Sequence, residues 1–367
     1  MFDTRIHDLM RLLVDYSIEV KPGQLVLIQG SIGATDYFHP AYAAILARGG
    51  HPFTRITMDD LTVELIRNGS DEQLDWMNPI TTETFKRIDG LISFAGNKNA
   101  RYLANLPAEK VKQHVHAQRE WRRYYLDRTG SGELRWVGWM PPIEGMAQEA
   151  GMSAQEFADF VYAACKVGIG TDPIAAWKKV KVEQDKIIAW LDKRSVFHFQ
   201  GEGTDVKFNA KGRTWVNCCG TRNMPDGEIF TSPVDDSAEG VMTFRYPALF
   251  NGQEVEGIRL VFRAGEVAEA TAEKGEDLLH SLISIDEGAR RCGEISIGTN
   301  YDIQRFSKVI LFDEKIGGTI HMALGNAMPY AGGVNKSAIH WDMIADMTTG
   351  EISADGEVFY RNGKLLI

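Results

Sequence analysis

Cysteine is scarce in this chain: four residues in 367, with no Cys-x-x-Cys pair. Cys218 and Cys219 are adjacent and badly placed to bridge each other, Cys165 falls in a helical pattern, and Cys292 precedes a strand. Disulfide frameworks belong mostly to short secreted chains. All four thiols are therefore read as reduced and as small buried hydrophobes, which fits the cytoplasm. Long apolar runs are missing too. No stretch approaches the ~18 apolar residues of a membrane span, so no membrane partner is expected. The start, Met1-Phe2-Asp3-Thr4-Arg5, leads into an amphipathic pattern (Ile6, Leu9, Leu12, Leu13), not into the basic and apolar regions of a signal peptide. Positive charge is in deficit: 40 Lys and Arg against 50 Asp and Glu, a formal charge of −10. That balance excludes nucleic acid as the default partner, because phosphate binding needs clustered cations. The basic, aromatic stretch 119–125 has helical spacing and reads as a solvated face beside core aromatics. No Gly-x-Gly-x-x-Gly fingerprint follows a strand; Gly30-Ser31-Ile32-Gly33 reads as a turn. No Gly-x-Ser-x-Gly elbow is present, so an acyl-enzyme is not expected.

What remains is a chain with 44% hydrophobic residues, ordinary for a globular protein with a large core. Its length favours two domains. In the first half, strand-like runs (24–28, 53–57, 90–94, 135–139) alternate with helical patterns (37–47, 61–66, 108–125 and one opened by Ser153). Glu156 stands three residues after Ser153, the spacing of a capping box. Such alternation implies βαβ units and a mainly parallel sheet. Asp172-Pro173 opens a long helix to about residue 192, with Ile174, Trp177, Val180, Ile187, Ile188 and Leu191 on an apolar stripe. Beyond it, β-type segments dominate (195–200, 204–209, 257–263, 266–272, 294–298, 308–312, 319–324, 338–344, 358–361), with one helix at 276–290. The expected fold is α/β: an N-terminal α/β domain (1–193) with a mainly parallel sheet, then a C-terminal β-rich α+β domain (194–367) carrying the site.

The chemistry-bearing residues gather in the second half. In the strand-like segment 337–344, residues two apart share a face, so His340 and Asp342 project together while Ile339, Trp341 and Met343 project oppositely. One rigid element thus offers two metal ligands; a hydrogen-bonded His–Asp pair on a half-exposed strand is the alternative. His321 sits in a Gly-bounded apolar strand, where a satisfied core histidine is the competing reading. Glu228 and Glu294 each follow a glycine at the start of an apolar strand. A carboxylate in that setting wants a cation, since burial without one is costly. Three carboxylates and two imidazoles suit two divalent ions better than one.

Four phrases, residues 223–233, 292–300, 313–326 and 332–344, together resemble peptidase family M29, the thermophilic metallo-aminopeptidases; residues 21–30 and 49–56 are compatible with it. The resemblance implies a two-metal site (Zn, Co or Mn) in a β-rich C-terminal domain, a homodimer, and short peptides as substrates. It places Glu228, Glu294, His321, His340 and Asp342 at the ligand positions, with Glu294 bridging, and Glu314 at a further acidic position near the site. Glu294 or Glu314 would move the proton to the leaving amine. The family's catalytic-site tyrosine, seven residues after His321, is Met328 here, before Pro329; Tyr330 follows two residues later as a candidate substitute. Removing an oxyanion donor costs ~10²–10³ in turnover.

Metal-dependent aminopeptidase is thus the expected function. A second reading takes His321, His340 and Asp342 as a 2-His-1-carboxylate set for one Fe(II), as in ring-cleaving dioxygenases of dihydroxypyridine type, which this family also resembles. A third is a non-catalytic, metal-stabilised dimer.

Overall fold

Alternating apolar runs and amphipathic stretches build a parallel sheet in the first part of the chain. In the computed structural model, which describes residues 3–99, 101–103, 105–250 and 252–367, this sheet runs in the order His51–Thr57, Leu25–Ser31, Gly90–Phe94, Arg135–Trp139, Asn223–Met224, every pair parallel. Its second strand is apolar on both faces, with Val26, Leu27 and Ile28 fully buried, as expected of a parallel strand covered by helices on both sides. Ser153 caps the helix Ala154–Ala164 and Glu156 reaches back to the Ser153 N–H, so the capping box forms. The helical stretch expected at 108–125 is two helices, Ala108–Ala117 and Arg119–Ser131, meeting at Gln118. Trp121 of the second stacks on Phe85 at 4.5 Å, drawing the aromatics of the basic stretch onto the core.

The β-dominated part forms two antiparallel sheets. Eight strands run in the order Glu266–Thr271, Ile258–Arg263, Glu239–Phe244, Thr204–Asn209, Val196–Gly201, Glu351–Ala354, Glu357–Arg361, Lys364–Leu365. Five run in the order His340–Asp346, Thr319–Gly325, Cys292–Gly298, Glu228–Thr231, Val216–Cys218. Side chains of both sheets, among them Phe199, Phe208, Leu260 and Phe262 from the larger and Ile229, Ile295, Met322 and Trp341 from the smaller, join one core.

Contacts divide the chain into Met1–Ala176 with Gly220–Pro225, and Trp177–Cys219 with Asp226–Ile367. The division lies inside the helix Pro173–Leu191, earlier than the change of sequence pattern near 193. The reason is that Ile187 and Leu191 enter the core of the second unit, while Asn223–Met224 pairs in the first sheet.

Three segments differ from expectation. Residues 308–312 are not a strand: Ile310–Asp313 is a helical turn. There the Ser307 N–H and hydroxyl both donate to Asp313 Oδ1, at 2.7 and 2.8 Å, folding the chain back on itself. The helix expected at 276–290 stops at Leu282, and a 3₁₀ turn, Glu287–Arg290, follows. Between them Asp286 accepts from the Ala289 and Ala338 N–H groups. That holds Ala338 out of the ladder, and the strand expected from 338 starts at His340.

Candidate metal centre

Register converts four separate motifs into one face of the five-stranded sheet. Directly opposed residues of an antiparallel pair lie on the same side, and so do residues two apart along a strand. Glu228 pairs with Gly298, His321 with Ser296, Asp342 with Ala323 and His340 with Gly325, while Glu294 also opposes Ala323. All five candidate ligands therefore point the same way. The positions facing them are Gly, Ser and Ala, which leaves the long side chains room to converge. The other face of the same strands is Ile229, Ile295, Ile297, Met322, Leu324 and Met343, all in the core. A one-residue slip of any strand would exchange the two faces, so burial of the apolar set fixes the polar set.

Distances show how tightly the group closes. His321 Nε2 lies 3.3 Å from Glu294 Oε1 and 3.5 Å from Glu228 Oε2. His340 Nε2 lies 3.7 Å from Glu294 Oε2 and 3.5 Å from Asp342 Oδ1. Glu294 thus offers one oxygen to each imidazole. On the far side of each ring, Nδ1–H donates to a backbone carbonyl: His321 to Glu314 at 2.9 Å, His340 to Asn326 at 2.7 Å. That bond selects the tautomer with a lone pair on Nε2 and sets the ring plane, as outer partners do for metal-binding histidines.

Glu314 joins the cluster: its carboxylate, the His321 imidazole and the Asp342 carboxylate offer ligand atoms within 4.8 Å of one another. Lys315, fully buried, reaches Glu228 Oε1 at 3.2 Å, Asp226 Oδ1 at 3.9 Å and the Glu314 carboxylate. Its approach depends on Gly298, where a Cβ would stand 2.1 Å from the Ile316 carbonyl oxygen. Only glycine lets the 315–316 backbone pass so close to the strand. The Glu228 end is held by Ser296 Oγ, 3.3 Å from Glu228 Oε2, and by Gln184, which donates to the Glu228 carbonyl at 3.2 Å.

The electrostatics follow from this crowding. Burial raises the Glu294 carboxyl and raises that of Glu314 to about 8, with neighbouring carboxylates adding to both shifts and cationic neighbours opposing them. For the imidazoles, burial alone would lower the pKa, but the surrounding carboxylates outweigh it and push His321 up to about 10 and His340 to about 9. Burial would raise Asp342, yet its two histidine neighbours draw it below its ordinary value. Among the described residues, five carboxylates (Asp226, Glu228, Glu294, Glu314, Asp342) face one permanent cation, Lys315. Four negative charges are left over when the imidazoles are neutral, and so dense a buried excess calls for cations.

The structure thus brings together Glu228, Glu294, Glu314, His321, His340 and Asp342. Tyr330 stands on the turn Pro329–Ala331, half exposed, its ring edge-on to Phe230 at 6.0 Å. Met328 is part-buried, with its N–H on Ser232 Oγ at 3.1 Å. Sequence reasoning passed over Lys315, Asp226, Ser296 and Gln184. The first two were readable as neighbours of singled-out acids, Lys315 beside Glu314 and Asp226 two residues before Glu228. Nothing in the pattern marked Gln184, which lies in a helix whose buried face is otherwise apolar.

Comparisons with known proteins match the chain along nearly its whole length. The model of the family described as thermophilic metalloprotease (M29) matches residues 2–365. Aminopeptidase T from Thermus aquaticus is 27% identical over 398 residues, covering 97% of this chain and 95% of that protein. The solved structure of wild-type AmpT from Thermus thermophilus superposes with a TM-score of 0.87 at 25% identity, covering all of both chains. A 2,5-dihydroxypyridine dioxygenase from Pseudomonas putida KT2440 shares the fold, with a TM-score of 0.64 at 12% identity over 98% of this chain and 96% of that one.

Proposed function

This chain belongs to the M29 family of thermophilic metalloproteases, and from that premise we propose that it is an aminopeptidase releasing N-terminal residues from short peptides at a centre for two divalent ions. The observation that carries the two-ion reading is Glu294, which offers one carboxylate oxygen toward His321 and the other toward His340. Glu228 would complete one side, with His321, and Asp342 the other, with His340. Two divalent ions would neutralise the four surplus charges. The donor set of oxygen and imidazole suits Zn, Co or Mn.

Bound there, such ions would polarise the scissile carbonyl and acidify the attacking water. The protein's own part is proton handling and orientation. Both Glu294 oxygens face imidazoles, which favours the bridging role for it and leaves Glu314 as the proton carrier. One of its carboxyl oxygens would take the proton from the attacking water and pass it to the departing amine. The Lys315 ammonium, beside that carboxylate, holds it in place and steadies its charged form. Tyr330 would serve as the phenol donor toward the oxyanion, in place of the family tyrosine that Met328 replaces.

A mononuclear Fe(II) dioxygenase would need only His321, His340 and Asp342. Glu228 and Glu294, buried on the same face, have no role in it, and the likeness to the dihydroxypyridine enzyme is one of fold. Metal content together with a screen of short peptides and aminoacyl anilides decides. Two Zn-, Co- or Mn-type ions per chain are expected, with hydrolysis lost to chelator and restored by metal. One oxygen-sensitive iron and no hydrolysis would overturn the proposal, and so would full activity in the metal-free protein, which the non-catalytic reading also forbids. The four cysteines form no disulfide, which favours the cytoplasm. A homodimer, which the family likeness implies, is checked by sizing.

A further inference from the structure

Beside the candidate centre lies a cavity of about 230 Å³ whose lining includes His340 and Asp342 themselves. Its other walls are apolar and aromatic, chiefly Leu249, Phe250, Phe306 and Ile310. Two polar groups also line it, and both are engaged. Lys308 Nζ pairs with Glu254 at 2.8 Å, and Asp313 accepts from Ser307. The walls are braced in place. Trp341 Nε1 donates to the Leu249 carbonyl at 3.1 Å, which pins the hairpin Ala248–Phe250/Gln253–Val255 to the ligand-bearing strand. Phe306 stacks on Tyr246 at 4.8 Å. A preformed apolar pocket with few polar groups is the usual form of a small-molecule subsite.

We infer that this cavity receives the side chain of the substrate's first residue and selects for an uncharged, apolar one. The inference rests on the aminopeptidase reading. In that reaction the scissile carbonyl sits at the metal centre, and the first side chain branches one atom away. A cavity that shares two residues with the centre is therefore where it must go. The volume is about one and a half times the ~150 Å³ that holds a benzene ring, so an isobutyl or phenyl group fills it. Alanine leaves it nearly empty. Glutamate would bury a charge beside Lys308, which is already paired with Glu254; lysine would meet only Asp313, whose Oδ1 already accepts two hydrogen bonds from Ser307.

Leucine exceeds alanine by three carbons, which at the usual transfer free energy per buried carbon corresponds to about 50-fold in kcat/KM. The test measures kcat/KM for leucyl, phenylalanyl, alanyl and lysyl anilides, and for Leu-Ala against Ala-Leu, with wild type, I310W and F306A. Ile310 is half exposed, so tryptophan there can fill the cavity without disturbing the core. I310W is expected to cut the leucine-to-alanine ratio at least ~10-fold, and F306A to raise the phenylalanine-to-leucine ratio. Ratios unchanged in both variants, a preference set by the second residue, or lysine favoured over leucine would each overturn the pocket while leaving the peptidase reading intact. Hydrolysis of no substrate at all would overturn both.

Discussion

Replacing Lys315 by methionine tests the electrostatic account of the centre most directly. The side chain keeps its length and apolar stem but loses the ammonium that lies 3.2 Å from Glu228 and beside Glu314, with Asp226 at 3.9 Å. Lys315 is 0% exposed, so water cannot replace it. Removing one partner of a buried pair typically costs ~3–5 kcal/mol, because the remaining charge is left uncompensated. For a unit of this size that is a fall in Tm of roughly 10 °C. The assay is thermal unfolding followed by circular dichroism at pH 7 with chelator present, where no added cation can stand in for the ammonium. Added divalent metal should recover more Tm in the variant than in wild type, since the variant's site is one charge more negative. A metal-free Tm within a degree or two of wild type would refute the assignment of Lys315 as the buried counter-ion.

Glu294→Gln should lower both metal content and kcat/KM, by at least the ~10–100-fold that loss of a mere outer partner costs; metal analysis and anilide hydrolysis check this, and full activity would rule out the bridging role. In the metal-free chain, His321 and His340 have folded pKa values of about 10 and about 9 against an ordinary 6.5. Raised values mean that the folded state holds those protons more tightly, so their stabilisation is complete below about pH 6.5 and disappears as pH rises through 9 and 10. Tm against pH with chelator should show that alkaline loss, and the metal-loaded protein should show much less of it, because metal ions displace the same protons. Gly298→Ala would drive a Cβ to 2.1 Å from the Ile316 carbonyl oxygen; a loss of about 1–3 kcal/mol and weakened metal retention are expected, read by urea unfolding and metal titration.

Why the centre was legible, and how far, follows from particular residues. His340 and Asp342 lie two apart in a strand-like run, so their shared face could be read from spacing alone. Glu228 and Glu294 stood out because glycine precedes each and apolar strand residues follow, a setting in which solubility does not explain a carboxylate. Lys315 was hidden because an isolated lysine in a charged turn looks like a surface residue. Only the close pass of its backbone across Gly298 takes it inside. The helical turn Ile310–Asp313 was misread for a similar reason: its apolar residues have strand composition, and a side-chain bond from Ser307 to Asp313 decides the local fold.

The sequence by itself determined which residue types carry the chemistry and the class of most elements, because a period of two or of 3.6 is a property of the chain. It also argued against a disulfide framework, a membrane-spanning helix and a nucleic-acid partner. Register was beyond it. Strands contributed by residues 228, 294, 321 and 340 meet only when the apolar faces pair over a common core, and a shift of one residue would have sent the ligands inward instead. The tertiary structure alone decided that Glu294 stands between two histidines, that Lys315 is buried against the acids, and that an apolar cavity opens beside them. Each depends on strands far apart in sequence lying about 5 Å apart in space.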